Sequence, residues 1–113
     1  GHMNVLLAEA GVDYDKLVEM QDINSEFKDT DLVIVIGACD VVNPSAIYKE
    51  GTPISGMPIL DVQQARAVIV LNYDSKPGFS GVDNPLYQME KTFCLWGDAR
   101  DKVDSLIHRL TGK

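Results

Sequence analysis

Three aspartates stand where a small molecule could be held. Asp40, Asp74 and Asp98 each lie a few residues beyond an apolar, strand-like run: Leu32-Val-Ile-Val-Ile36, Ala67-Val-Ile-Val-Leu71 and Thr92-Phe-Cys-Leu-Trp96. In open α/β sheets, ligands bind outside the carboxyl ends of parallel strands. A carboxylate there can accept from a ribose hydroxyl, or it can simply cap a loop by accepting from backbone amides. The stretch Asp31–Pro44 is the most informative, since a buried strand runs out into Gly37-Ala-Cys-Asp40 and then a helix start at Asn43-Pro44. The expectation is a shared rim of strand tips able to accept a small molecule.

The elements that must carry this rim show as an alternation. Leu32–Ile36 has no polar alternation, which predicts a parallel strand covered on both faces. Ala67–Leu71 and Thr92–Trp96 predict two more, with Phe93 and Trp96 in the core. Ahead of them, residues 3–10 predict a helix stopped near Gly11. Asp13 then caps a second helix with Leu17, Val18 and Met20 inward, and residues 23–27 add a further turn. Asn43-Pro44 starts a helix, residues 49–56 form a loop, and Pro58 opens a short helix through Ile59, Leu60, Val62 and Ala65. Residues 72–85 are a long irregular segment, of the kind that forms a functional lid or is disordered. Asp98 caps a last helix with Val103, Leu106, Ile107 and Leu110 at i, i+3, i+4 and i+7. The pattern predicts an α/β, three-layer architecture: a short parallel sheet of about three strands flanked by helices, half of a Rossmann-like or DHS-like NAD-binding fold. Residues 1–113 read as one domain.

A net charge of −7 argues against nucleic acid and anionic membranes as partners, because phosphate arrays need a basic face. No apolar run approaches the roughly 20 residues that span a bilayer. Cys39 and Cys94 lack metal-ligand spacing and read as free thiols in a reducing, cytoplasmic setting. Cys39 reads either as a reactive thiol near a helix start or as a tolerated cysteine. His2 and His108 are too far apart in sequence to suggest a metal site.

Several ordered segments carry a family resemblance. They are Gly1-His-Met-Asn-Val-Leu-Leu-Ala-Glu-Ala10, Gly37-Ala-Cys-Asp-Val-Val-Asn-Pro44, Gly56-Met-Pro58, Val68-Ile-Val70, Gly78-Phe-Ser-Gly-Val82, Asn84-Pro85 and Gly97-Asp-Ala-Arg100. The chain resembles the C-terminal, NADP(H)-binding domain of the proton-translocating nicotinamide nucleotide transhydrogenase beta subunit. The resemblance implies hydride exchange with NAD(H) on a partner domain, coupled to proton movement through a membrane domain. It also implies a nucleotide laid in reverse, with its adenosine end on the part of the sheet seen here.

Three departures qualify what the resemblance implies. The family's first strand and glycine-rich loop lie upstream of Gly1, so the expectation is a domain truncated at its first half, not catalytic alone. The family's Lys-Arg-Ser, which holds the 2′-phosphate of NADP, is replaced by Asn72, Tyr73 and Asp74. A carboxylate repels a phosphate but accepts from a free 2′-hydroxyl, which points from NADP toward NAD. Cys39 replaces an asparagine, and a thiol is a poor substitute for a carboxamide.

By resemblance, the cofactor-binding residues are Gly37, Ala38, Asp40, Asn43, Asn72, Tyr73, Asp74, Gly78, Phe79, Ser80, Gly81, Asp98, Ala99 and Arg100. Asn43 reads first as a helix cap, residues 78–82 also as a surface loop with glycines for turns, and Arg100 also as a solvated cation. The implied partners are a nicotinamide or adenine nucleotide, an NAD-binding transhydrogenase subunit, and a second copy that completes the sheet. The alternative is a stand-alone, dimerising adenine-nucleotide or regulatory module without enzymatic activity.

Overall fold

The structure, a computed structural model, describes residues 6–7 and 9–111. The predicted first helix lies partly outside that range; Leu6, Leu7 and Glu9 are helical. Gly11, at φ +86°, then turns the chain away. Among the described residues no helix is long and apolar enough to cross a membrane.

Three parallel strands, β1 (Leu32–Ile36), β2 (Ala67–Asn72) and β3 (Thr92–Trp96), lie in the order β1-β2-β3. Leu32 pairs with Ala67 and Ile36 with Leu71; Val68 pairs with Thr92 and Asn72 with Trp96. Parallel neighbours need crossovers, and each crossover here carries short helical turns. The first contains α2 (Ser45–Tyr48) and a 3₁₀ turn at Val62–Gln64; the second contains a 3₁₀ turn at Pro85–Gln88. Before β1 come a turn at Tyr14–Lys16, α1 (Met20–Ile23) and a 3₁₀ segment at Asn24–Asp29. After β3 comes α3 (Ala99–Thr111).

One face of the sheet is a packed core. Val35, Val68 and Val70 meet Phe27, Val42, Val62 and Leu86. Both crossovers and the segment before β1 thus sit on the same side. That is the consequence of adding strands in sequence order with one handedness of connection.

The opposite face corrects the expectation of strands covered twice. Leu32, Ile34 and Ile36 of β1 and Phe93 and Leu95 of β3 are exposed there, Ile36 at 55% and Phe93 at 61%. Among the described residues only α3 remains to reach that side; it contacts β2, where Leu71 is fully buried. The third layer is therefore partial. Trp96, also expected in the core, is partly exposed and packs edge-on to Tyr87, centroids 5.1 Å apart.

Other expectations shift for local reasons. Asp13 precedes only a three-residue turn, and Val18 is exposed because too few residues follow to make an inward stripe. Pro58 opens no helix; only Val62–Gln64 turn helically, after the Leu60 N–H has bonded to the Val41 carbonyl at 2.7 Å instead of to its own turn. The stripe of α3 lies outward at Ile107 and Leu110. Lys91 ties the strand layer to the turn beneath it, its ammonium donating to the carbonyls of Gln63 and Ala65.

Candidate functional site

All three strands end together. The Gly37 amide donates to the Leu71 carbonyl at 3.1 Å, and the Gly97 amide to the Asn72 carbonyl at 2.9 Å. Parallel register then places the loops carrying Asp40, Asp74 and Asp98 at one end of the sheet. Each carboxylate is engaged locally. Asp98 Oδ1 caps α3 by accepting from the amides of Arg100 (3.0 Å) and Asp101 (3.3 Å). Asp74 is exposed and accepts from the Lys76 amide at 2.9 Å, a tight Asx turn.

Asp40 holds the glycine-rich loop. Its Oδ2 accepts from the Ser80 amide at 3.1 Å and its Oδ1 from the Ser80 hydroxyl at 2.6 Å. The loop passes so close that a Cβ at Gly78 would lie 2.9 Å from Asp40 Oδ2. Gly81, at φ +71°, closes the turn by donating to the Gly78 carbonyl. Ser80 Oγ also accepts from the Val82 amide. Phe79, at the tip, is fully exposed.

Two asparagine–proline pairs brace the same region reciprocally. Buried Asn43 accepts from the Ser45 amide and donates to the carbonyls of Val82 and Asp83. Buried Asn84 accepts from the Leu86 amide and donates to the Cys39 carbonyl. Each asparagine starts a helical turn on its own segment and ties down the other segment. Asn43 was legible as a helix start. Asn84-Pro85 carries the same signal, and sequence reasoning passed over it.

Asn72 is likewise structural. Its amide donates to the Ala38 carbonyl at 2.8 Å and to Tyr87 Oη at 3.1 Å, and its Oδ1 is buried with no partner among the described residues. Burial, with Cys39 beside it, raises the Tyr87 hydroxyl above its ordinary value, so Tyr87 stays protonated. Burial also raises the Cys94 thiol. Both cysteines are free.

The structure thus brings together Gly37, Ala38, Asp40, Asn43, Asn72, Gly78, Ser80 and Gly81 as one braced loop cluster. Tyr73, Phe79 and Arg100 are exposed. Among the described residues no group of His, Cys, Asp and Glu could hold a metal ion. Behind the brace lies a cleft of about 560 Å³, lined by Ser45, Tyr48, Lys49, Ser75, Asp83, Asn84, Pro85, Tyr87 and Gln88. None of the residues expected to bind cofactor lines it.

A parallel α/β sheet with a braced, glycine-bearing loop at its carboxyl end defines the class of Rossmann-like folds. Residues 1–109 match the family model described as NAD(P) transhydrogenase beta subunit, and the chain belongs to that family. It is 44% identical over 110 residues, 97% of its length, to the NAD(P) transhydrogenase subunit beta of Rhodospirillum rubrum. The counterpart from a named strain of that species gives the same figures. The chain spans 24% of the length of these relatives.

Proposed function

We propose that this chain forms part of the nucleotide-binding component of a transhydrogenase, holding the adenosine end of a nicotinamide nucleotide at the carboxyl rim of its sheet. What carries the reading is the convergence of three strand ends on one braced loop cluster, in a chain of this family. By itself the chain transfers no hydride. An NAD-binding partner subunit and a proton-coupling membrane part complete the reaction, and the chain works on the cytoplasmic or matrix side of that complex.

NAD fits the rim better than NADP. Asn72 has both amide hydrogens committed to Ala38 and Tyr87, so it cannot turn to a phosphate. Asp74 is exposed and has its second oxygen free of the Lys76 amide contact. A 2′-phosphate there would meet a carboxylate, whereas a 2′-hydroxyl would meet an acceptor. Calorimetric titration with NAD, NADP, AMP and ADP tests this. The expected order is NAD above NADP, with Asp74→Asn narrowing the gap; tighter binding of NADP would overturn it.

The second reading is a dimerising, adenine-nucleotide-binding or regulatory module without activity. The open apolar sheet face favours it, because a second copy is one way to cover that face.

A further inference from the structure

We propose that Tyr87 is the positioning residue of the strand rim: its side chain ties the three strand ends to one another and so sets where the loops carrying Asp40, Asp74 and Asp98 meet a nucleotide. That role rests on the nucleotide reading of the rim given above. Tyr87 acts through its neighbours and touches no ligand.

Tyr87 comes from the turn at Pro85–Gln88, outside the sheet, yet it reaches every strand end. Its Oη accepts from the amide of Asn72, the last residue of β2, at 3.1 Å. The same Asn72 amide donates to the Ala38 carbonyl, in the loop after β1, at 2.8 Å. The Tyr87 ring meets Trp96, the last residue of β3, with the ring planes 79° apart. Three residues ahead of Tyr87, Asn84 anchors the turn to the loop after β1 by donating to the Cys39 carbonyl at 3.1 Å.

Each contact falls two positions ahead of a rim aspartate: Ala38 before Asp40, Asn72 before Asp74, Trp96 before Asp98. Among the described residues, the last ladder bonds between strands are those of the Gly37 and Gly97 amides. Beyond them, side chains must fix the spacing of the tips. The Asn72 Oδ1 has no partner among the described residues, so two amide contacts orient the carboxamide, and Oη supplies one of them. Without Oη the carboxamide is freer to turn, and the hold on Ala38 slackens. Sites lose affinity when the groups behind them are loosely held.

A double-mutant cycle in nucleotide affinity tests this, with NAD titrated calorimetrically into the 113-residue chain, Tyr87→Phe, Asn72→Ala and the double variant. Tyr87→Phe keeps a ring against Trp96 and removes only the hydroxyl. It is expected to weaken NAD about fivefold, and Asn72→Ala at least as much. Adding Tyr87→Phe to Asn72→Ala should weaken NAD no further. Val62→Ala is the stability control: it empties core space in the turn ahead of β2, away from the strand ends, and should bind NAD like the parent although it melts earlier. Titrations are run well below every thermal midpoint. Asn72→Ala cuts the same tie from its other end and serves alone if Tyr87→Phe does not fold. Without nucleotide, the Gly37 and Gly97 amides should exchange faster in Tyr87→Phe and not in Val62→Ala. Equal NAD affinity of the parent and Tyr87→Phe would overturn the role of Tyr87. Additive losses in the cycle, or an equal loss in Val62→Ala, would overturn it too. A parent chain that binds no nucleotide at all is a different result, and overturns the reading of the rim itself.

Discussion

Asp40 and Ser80 lie 40 positions apart, yet their side chains form the shortest side-chain link between the first strand's loop and the glycine-rich loop. A hydrogen bond to a carboxylate is worth more than a neutral one, though partial exposure here discounts it. Ser80→Ala is therefore expected to cost about 1 kcal/mol and to speed chymotryptic cleavage after the exposed Phe79, as read by urea midpoint and digestion rate. Unchanged cleavage would mean that the amide bond from Ser80 suffices. Gly78→Ala should do more, because its Cβ would press on the carboxylate at 2.9 Å. Tyr87 gives a pH signature. Its folded value is raised, so the folded chain keeps a proton that the unfolded chain releases above about pH 10. Stability contributed by that proton is present below the unfolded value and declines as pH climbs past it. Cys94, raised by burial, adds a smaller decline beginning nearer its own ordinary value. Tyr87→Phe should lower the urea midpoint at neutral pH, by about 1 kcal/mol in stability, and flatten the alkaline limb relative to the parent. At this scale the sequence showed the residue types but not their engagements. Asn72 looked like a ligand position, and the structure commits it to the backbone of Ala38. Only tertiary placement could reveal that.

The strands were legible because five-residue runs of β-branched residues, or of aromatic and apolar ones in β3, stand between loop signals. Their coverage was not. A run such as Leu32–Ile36 looks the same whether helices flank it on one side or both, and the strand order decides which. Since the strands add in sequence order, both crossovers fall on the side of Val35 and Val70. The short helical turns were also hidden. Pro58 signals a helix start, but Leu60 is captured by Val41 before a helix can propagate. The two faces make opposite predictions for similar substitutions. Leu86→Ala removes a fully buried side chain from the core and should cost roughly 2–5 kcal/mol. Leu95→Ala, on the open face, should stay within about 0.5 kcal/mol in the dissociated monomer at low concentration, as for surface positions. Equal losses in chemical denaturation would show that the open face is already covered in solution.

At the scale of the molecule, that open face is the unresolved physical demand. Leu32, Ile34, Ile36, Phe93 and Leu95, with Ile107 and Leu110 from α3, expose an apolar area on the order of the roughly 800 Å² per partner that a standard interface buries. β1 is also an edge strand among the described residues. A second copy of this chain would relieve that surface, which makes the proposed dimer quantitative. Two copies of charge −7 repel, so association should strengthen as salt rises and screens that repulsion, the reverse of an interface held by opposite charges. Sedimentation velocity at low and high salt reads this directly. Ile36→Lys with Phe93→Glu should hold the chain monomeric without lowering its thermal midpoint at low concentration, since both side chains already face solvent in the monomer. A parent chain that stays monomeric at high concentration and high salt would exclude the dimer.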